Sequence, residues 1–314
     1  MTLSGLYVDR LKMKIKLSFC FHILCTATLV GCSRSEIRTV KIADEVRKEV
    51  SQQYFGIKKS GFVPGKLKEE DFSEKRLKKY SLKTLNLLQD VSKKLTFYFP
   101  ENLEYIGWQQ NAFNEKVRRN DHTENNIEDM YWAYINIRMF DKAAGIREQF
   151  PAANYPAIPQ AIVTSTESVA ARWPVYDIFD DGQKIELKEL HFETGPKIVV
   201  SISAGCPVAE RAIKTILADP ELAPVFKKYG TLLTVKFDVK GILRWREQFD
   251  FPSIYIAYKA SRLPEFDFSS SPCFYFMKDG KVLLFIDGWG KKSLPKILKG
   301  LEAISILPVQ HKPQ

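Results

Sequence analysis

The chain has 314 residues, 45% hydrophobic and 27% charged, so it carries enough apolar material for a sizeable core and reads as globular rather than disordered. The formal net charge is +10, with 47 Lys and Arg against 37 Asp and Glu, yet no basic motif interleaved with aromatics points to nucleic acid. Its four histidines and five cysteines show no zinc-site spacing, so no metal and no other cofactor is expected.

Lys12, Lys14 and Lys16 precede an apolar run over 17–30 that is too short to span a bilayer comfortably as a mature helix. The run ends Leu29-Val30-Gly31-Cys32, which resembles a bacterial lipobox. The resemblance implies a signal peptide over 1–31, an acyl anchor on Cys32, and hence the membrane as a partner. Met13 as the start would leave a signal of more usual length. An ordinary cleaved signal or a short membrane anchor is the alternative. Ser33, in place of an aspartate, implies transfer to the periplasmic face of the outer membrane if the source has two membranes. Removing 1–31 takes away four basic residues and one acidic one, lowering the net charge from +10 to +7.

Residues 32–70 read as a tether. A helix over 37–54 is allowed, but Gly56, Gly61, Pro64 and Gly65 prevent its continuation. The basic stretch 58–83 reads as a solvated linker and helix start, or as a segment near anionic lipid headgroups. A helical domain is expected over 71–150. Leu82, Leu85, Leu87, Leu88, Val91 and Leu95 recur at helical spacing, and Pro100 ends that helix. A second helix covers 102–118. A polar turn at 120–125 offers caps for a third, striped by Met130, Tyr131, Ala133, Tyr134 and Ile137. A short fourth runs over 140–150. The last two helices weakly resemble one tetratricopeptide-type hairpin, with Met139 to Ala143 at its turn, but no second copy stands at the repeat period. Pro151, Pro156 and Pro159 mark a linker over 151–172.

The second domain is expected over 173–304, with a tail over 305–314. Strands at 175–178 and 184–187 flank Asp180, Asp181, Gly182 and Gln183, a hairpin signal. A buried strand over 198–203 leads into a helix over 208–217, then a strand over 232–239, a helix over 242–249 and a strand over 253–258. Strands at 274–277 and 282–286 are joined by Lys278, Asp279, Gly280 and Lys281, a hairpin turn, and a helix over 291–304 closes the domain. Alternating βα units with a terminal hairpin and helix predict an α/β domain: a mixed central sheet with helices on both faces, preceded by an all-α helical subdomain.

This order resembles the thioredoxin fold over about 173–304, and within it the redoxin branch of membrane-anchored thiol–disulfide oxidoreductases. The hairpin at 180–190 leads into the core. Ser203-Ala204-Gly205-Cys206-Pro207-Val208-Ala209 occupies the active-site turn. The helix–strand pair at 242–258 is an added unit, and Ser270-Ser271-Pro272-Cys273 matches the strand that begins at a cis proline. The resemblance implies a catalytic Cys206, with Ser271, Pro272 and Pro207 on the substrate, and a protein thiol or disulfide as partner. A cysteine at a helix N-terminus meets the helix dipole and free N–H groups, which favour the attacking thiolate.

The departures count equally. Ala209 stands where a resolving cysteine would, Gly205 replaces the usual tryptophan, and Val200 takes the place of a buried carboxylate. Val199 and Ser203 fill slots that a peroxidase gives to proline and threonine. Once Cys20 and Cys25 leave with the signal and Cys32 takes lipid, Cys206 and Cys273 are the remaining thiols. Cys273 is then a second redox thiol, a disulfide partner of Cys206, or a small buried residue in a central strand. Two functions are open: a lipid-anchored thiol–disulfide oxidoreductase working through Cys206, or a non-catalytic binding or assembly lipoprotein that uses both domains as scaffolds.

Overall fold

The structure is a computed structural model and describes residues 34–53, 66–99, 101–152, 155–156, 158–163 and 171–306. The signal peptide expected over 1–31, Cys32 and the end of the tail lie outside the described residues. The chain divides into two compact units, one of residues 1–95 and 107–122, the other of 96–106 and 123–314. None of the described helices is long and apolar enough to cross a membrane.

The first unit is helical. It contains α1 (Arg34–Gln53), the short α2 (Glu74–Leu77), most of α3 (Leu82–Tyr98) and most of α4 (Leu103–Arg118). The tether reading is corrected here, because α1 is docked. Ala43, Val46 and Val50 are buried. The buried carboxylate of Glu36 accepts from the Ser81 N–H at 2.8 Å and the Thr84 hydroxyl at 2.6 Å. Thr39 donates to Asp71 at 3.1 Å. On α3 the buried stripe runs through Leu85, Leu88, Val91 and Leu95, whereas Leu82 is exposed. Phe72 stacks on Trp108 with ring centroids 4.7 Å apart.

The second unit opens with α5 (Glu124–Asn136) and α6 (Phe140–Gln149). Thr123 and Asn126 form a capping box on α5. This helical hairpin is docked on the sheet. Arg138, between the two helices, donates to the carbonyls of Val235 at 3.1 Å and Ala257 at 2.6 Å, and Phe140 meets Phe237 edge to face. The structural division therefore does not fall at the proline-marked stretch after residue 150.

The sheet has eight strands: β1 (Gln160–Val163), β2 (Pro174–Phe179), β3 (Lys184–Glu189), β4 (Pro196–Ser201), β5 (Gly230–Thr234), β6 (Ile254–Ala257), β7 (Cys273–Lys278) and β8 (Lys281–Asp287). Their order is β1-β3-β2-β6-β5-β4-β7-β8. β4, β5 and β6 are mutually parallel, as are β1 and β3, while β2, β7 and β8 run antiparallel to their neighbours. Helices lie on both sides: α7 (Pro207–Ala218), α8 (Leu222–Tyr229), α9 (Val239–Phe249) and α10 (Ser293–Ala303). Both faces of the central strands are therefore dry, which is why Ile198, Val199 and Val200 are all apolar and buried. Val199, Cys273, Tyr275 and Met277 turn to one face, in a cluster with Trp173, Phe192, Leu263 and Phe266. Phe276 turns to the other, under Gly300 of α10. The connections β4–α7–α8–β5 and β7–β8–α10 make the unit thioredoxin-like, with α9 and β6 as the added helix and strand.

Two elements depart from the periodicity. The strand expected to reach 239 ends at Thr234, because Asp238 instead caps α9, its carboxylate accepting from the Gly241 N–H at 2.9 Å. Helix α8 was concealed by Pro220 and Pro224. Pro224 falls in its first turn, where a missing N–H costs nothing.

Candidate functional site

Cys206 is the N-cap of α7, and Pro207 is its first helical residue. Proline suits that position because its fixed φ is helical and its absent N–H would have had no partner. The chain reaches Cys206 through a tight turn in which the Cys206 N–H donates to the Ser203 carbonyl at 2.9 Å and the Cys206 carbonyl accepts from Glu210 at 3.0 Å. Gly205 makes that turn with φ +90°, a left-handed conformation, although a Cβ there would meet nothing within 4 Å. Backbone conformation, not space, therefore selects glycine in the slot where a tryptophan is usual.

Opposite the turn lies the segment before β7. The Ser271–Pro272 peptide bond is cis. The Ser271 hydroxyl accepts from the Ser203 N–H at 2.8 Å, tying the two loops together, and the Cys206 thiol points its S–H at the Ser271 carbonyl, with sulfur to oxygen at 3.6 Å. Pro272 is buried and its carbonyl accepts from the Gly288 N–H at 2.9 Å. Pro207 is exposed, and Ser271 and Cys206 are partly exposed. Ala204 packs toward α9, where a side chain on Gly241 would come within 3.0 Å of it. Glu210, whose charge faces the same helix end, accepts from Gln248 at 3.1 Å. Ala209, in the resolving position, is fully buried.

Cys273 sits in a different setting. It begins β7, opposite Ser201 on one side and Asp287 on the other, and is fully buried. Its thiol lies 3.8 Å from the Ser270 carbonyl and 3.4 Å from a carboxylate oxygen of Asp287. Burial first, and then the neighbouring Asp287 carboxylate, push this thiol up to about 12. Cys206 and Cys273 are both free thiols. The structure thus brings Cys206, Ser271 and the cis proline together, leaves Pro207 at the rim, and pairs Cys273 with Asp287. Asp287 was missed by sequence reasoning, and Ser203, read as part of the active-site turn, was not foreseen as the donor to Ser271. Among the described residues, no cluster of His, Cys, Asp and Glu could hold a metal ion.

No protein-family model and no curated protein matches the chain. Among solved structures, a thioredoxin-like protein from Bacteroides caccae is similar at 12% identity, covering 72% of this chain and 80% of that one, with a TM-score of 0.28. The thioredoxin-like assignment rests on the strand order and connections of this chain.

Proposed function

We propose that the chain is a lipid-anchored, extracytoplasmic thiol–disulfide exchange protein that works through the single thiol of Cys206. The observation that carries this reading is the partly exposed Cys206 thiol at the head of α7, held against the Ser271 carbonyl at the cis proline. The envelope location and membrane partner are supported by the lipobox-like run ending at Cys32.

Exchange proceeds in two balanced steps. Cys206, having lost its proton to water, attacks one sulfur of a substrate disulfide; a new S–S bond forms to Cys206 and the substrate bond breaks, its leaving thiolate taking up a proton. A low-molecular-weight thiol, as its thiolate, then attacks the substrate sulfur of the mixed disulfide; a new disulfide forms between the two, and Cys206 leaves and takes up a proton. Resolution comes from outside the chain because Ala209 offers no thiol and Cys273 is buried and protonated.

The test is incubation of the native protein with glutathione disulfide, then measurement of intact mass. One glutathione adduct is expected on wild type and on Cys273→Ala, and none on Cys206→Ser. An adduct that survives Cys206→Ser, or no adduct on wild type, contradicts the reading. The fully buried Ala209 favours a second reading, a scaffold without turnover, under which Cys206→Ala would fully rescue a deletion strain.

A further inference from the structure

The outer face of α1 carries a stripe at helical spacing: Arg34, Ile37, Arg38 and Lys41, continued by Glu45 and Lys48. It lies opposite the buried residues Glu36, Thr39, Ala43, Val46 and Val50. All four leading residues are exposed, Ile37 to 60%. Glu45, the acid on the stripe, is neutralised by Lys66 at 2.8 Å. Arg34, Arg38 and Lys41 form no ion pair with a described residue.

Helix stability does not account for this placement. Cations in the first turns of a helix oppose its macrodipole, which favours acids there and bases at the far end. Here the last turn has no basic residue. Nor does burial within the unit account for Ile37, an apolar residue left 60% exposed. The stripe begins two residues after Cys32, a span of at most about 7 Å of chain.

We infer that this face of α1 lies on an anionic phospholipid surface, with Arg34, Arg38 and Lys41 on the headgroup phosphates and Ile37 entering the boundary between headgroups and acyl chains. The inference rests on the lipid-anchor reading, since an acyl chain on Cys32 places Arg34 at the bilayer. A basic face beside the anchor adds electrostatic attraction to anionic headgroups. The stripe would also fix the orientation of the helical unit on the bilayer, which an acyl chain alone cannot do.

The test uses the non-acylated chain from Ser33 onward, which contains every described residue, with phosphatidylcholine vesicles lacking or containing phosphatidylglycerol. Binding to the anionic vesicles, lost in high salt, is expected. The triple variant Arg34→Glu, Arg38→Glu, Lys41→Glu should weaken it at least tenfold, and Ile37→Ser severalfold, with helix content by circular dichroism unchanged. Lys291→Glu, Lys296→Glu, Lys299→Glu, which makes the same charge change elsewhere, should retain most binding. Binding that ignores lipid charge, or that falls equally in the two triple variants, overturns the inference. Acylation is read separately from the mass of the N-terminal peptide of protein taken from its own membrane, so a missing anchor and a missing lipid surface give different results.

Discussion

The two thiols differ in everything that governs reactivity. Cys206 is partly exposed at a helix start with its S–H on a backbone carbonyl, while Cys273 is fully buried beside a carboxylate. With Cys273 at about 12, roughly one molecule in ten thousand carries its thiolate at about pH 8. Iodoacetamide is therefore expected to label Cys206 in the native protein and Cys273 only after denaturation; comparable native rates would contradict the assignment of roles. Cys206 and the cis proline were legible because a cysteine at a strand-to-helix junction and a Ser-Pro pair before a hairpin strand are local signals. Asp287 was not. Counting back from the Lys278–Lys281 turn pairs Cys273 with Ile286, but a bulge beside Phe276 and Met277 shifts the register so that Asp287 stands there instead. Gly205 read as a loss of the usual tryptophan, whereas its left-handed φ makes it a conformational requirement.

Among the elements, α10 shows how closely the sheet is covered. A Cβ on Gly300 would overlap the Phe276 ring, which is fully buried and has nowhere to turn. Gly300→Ala is expected to destabilise the sheet unit by about 1–3 kcal/mol, despite the better helix propensity of alanine. An unchanged denaturation midpoint would show that α10 can shift away from β7 freely. The helices of the first unit were visible as apolar stripes. The docking of α1 was not, because beside the buried Ala43, Val46 and Val50 it uses polar anchors, Glu36 on Ser81 and Thr84 and Thr39 on Asp71, which leave no apolar period. Strand β1 was hidden for a related reason, being four residues long and just past a proline, with pairing to β3 alone to define it.

For the whole molecule, alternation of βα units was enough to foresee a mixed sheet covered on both faces, since it reflects which segments must be buried twice. The assignment of α5 and α6 to the sheet unit was not foreseeable, because it depends on long-range contacts of single side chains. Arg138 ties α5 and α6 to the ends of β5 and β6, and Arg246 ties α9 to Asp177 of β2 at 2.6 Å. The helical unit has its own anchor in Glu115, buried on α4. Hydrogen bonding from Arg118, reinforced by Arg119, holds its carboxyl below the usual range despite burial. A depressed folded value means that this stabilisation is present above the unfolded value of about 4.3 and is lost as pH falls through the folded one. Urea midpoints measured from about pH 6 to about pH 3 should fall, and Glu115→Gln should flatten the part of that fall belonging to the helical unit. An identical acid limb in the variant would remove Glu115 from the account.

The central claim is that Cys206 is the one exchanging thiol, resolved from outside the chain. It is tested most directly by mass spectrometry of the protein taken from its native cells under acid quench and without reductant. The expected result is a mixed disulfide on Cys206, to a protein or a small thiol, with Cys273 free. A disulfide between Cys206 and Cys273, or a Cys206 that is always unmodified, would contradict it.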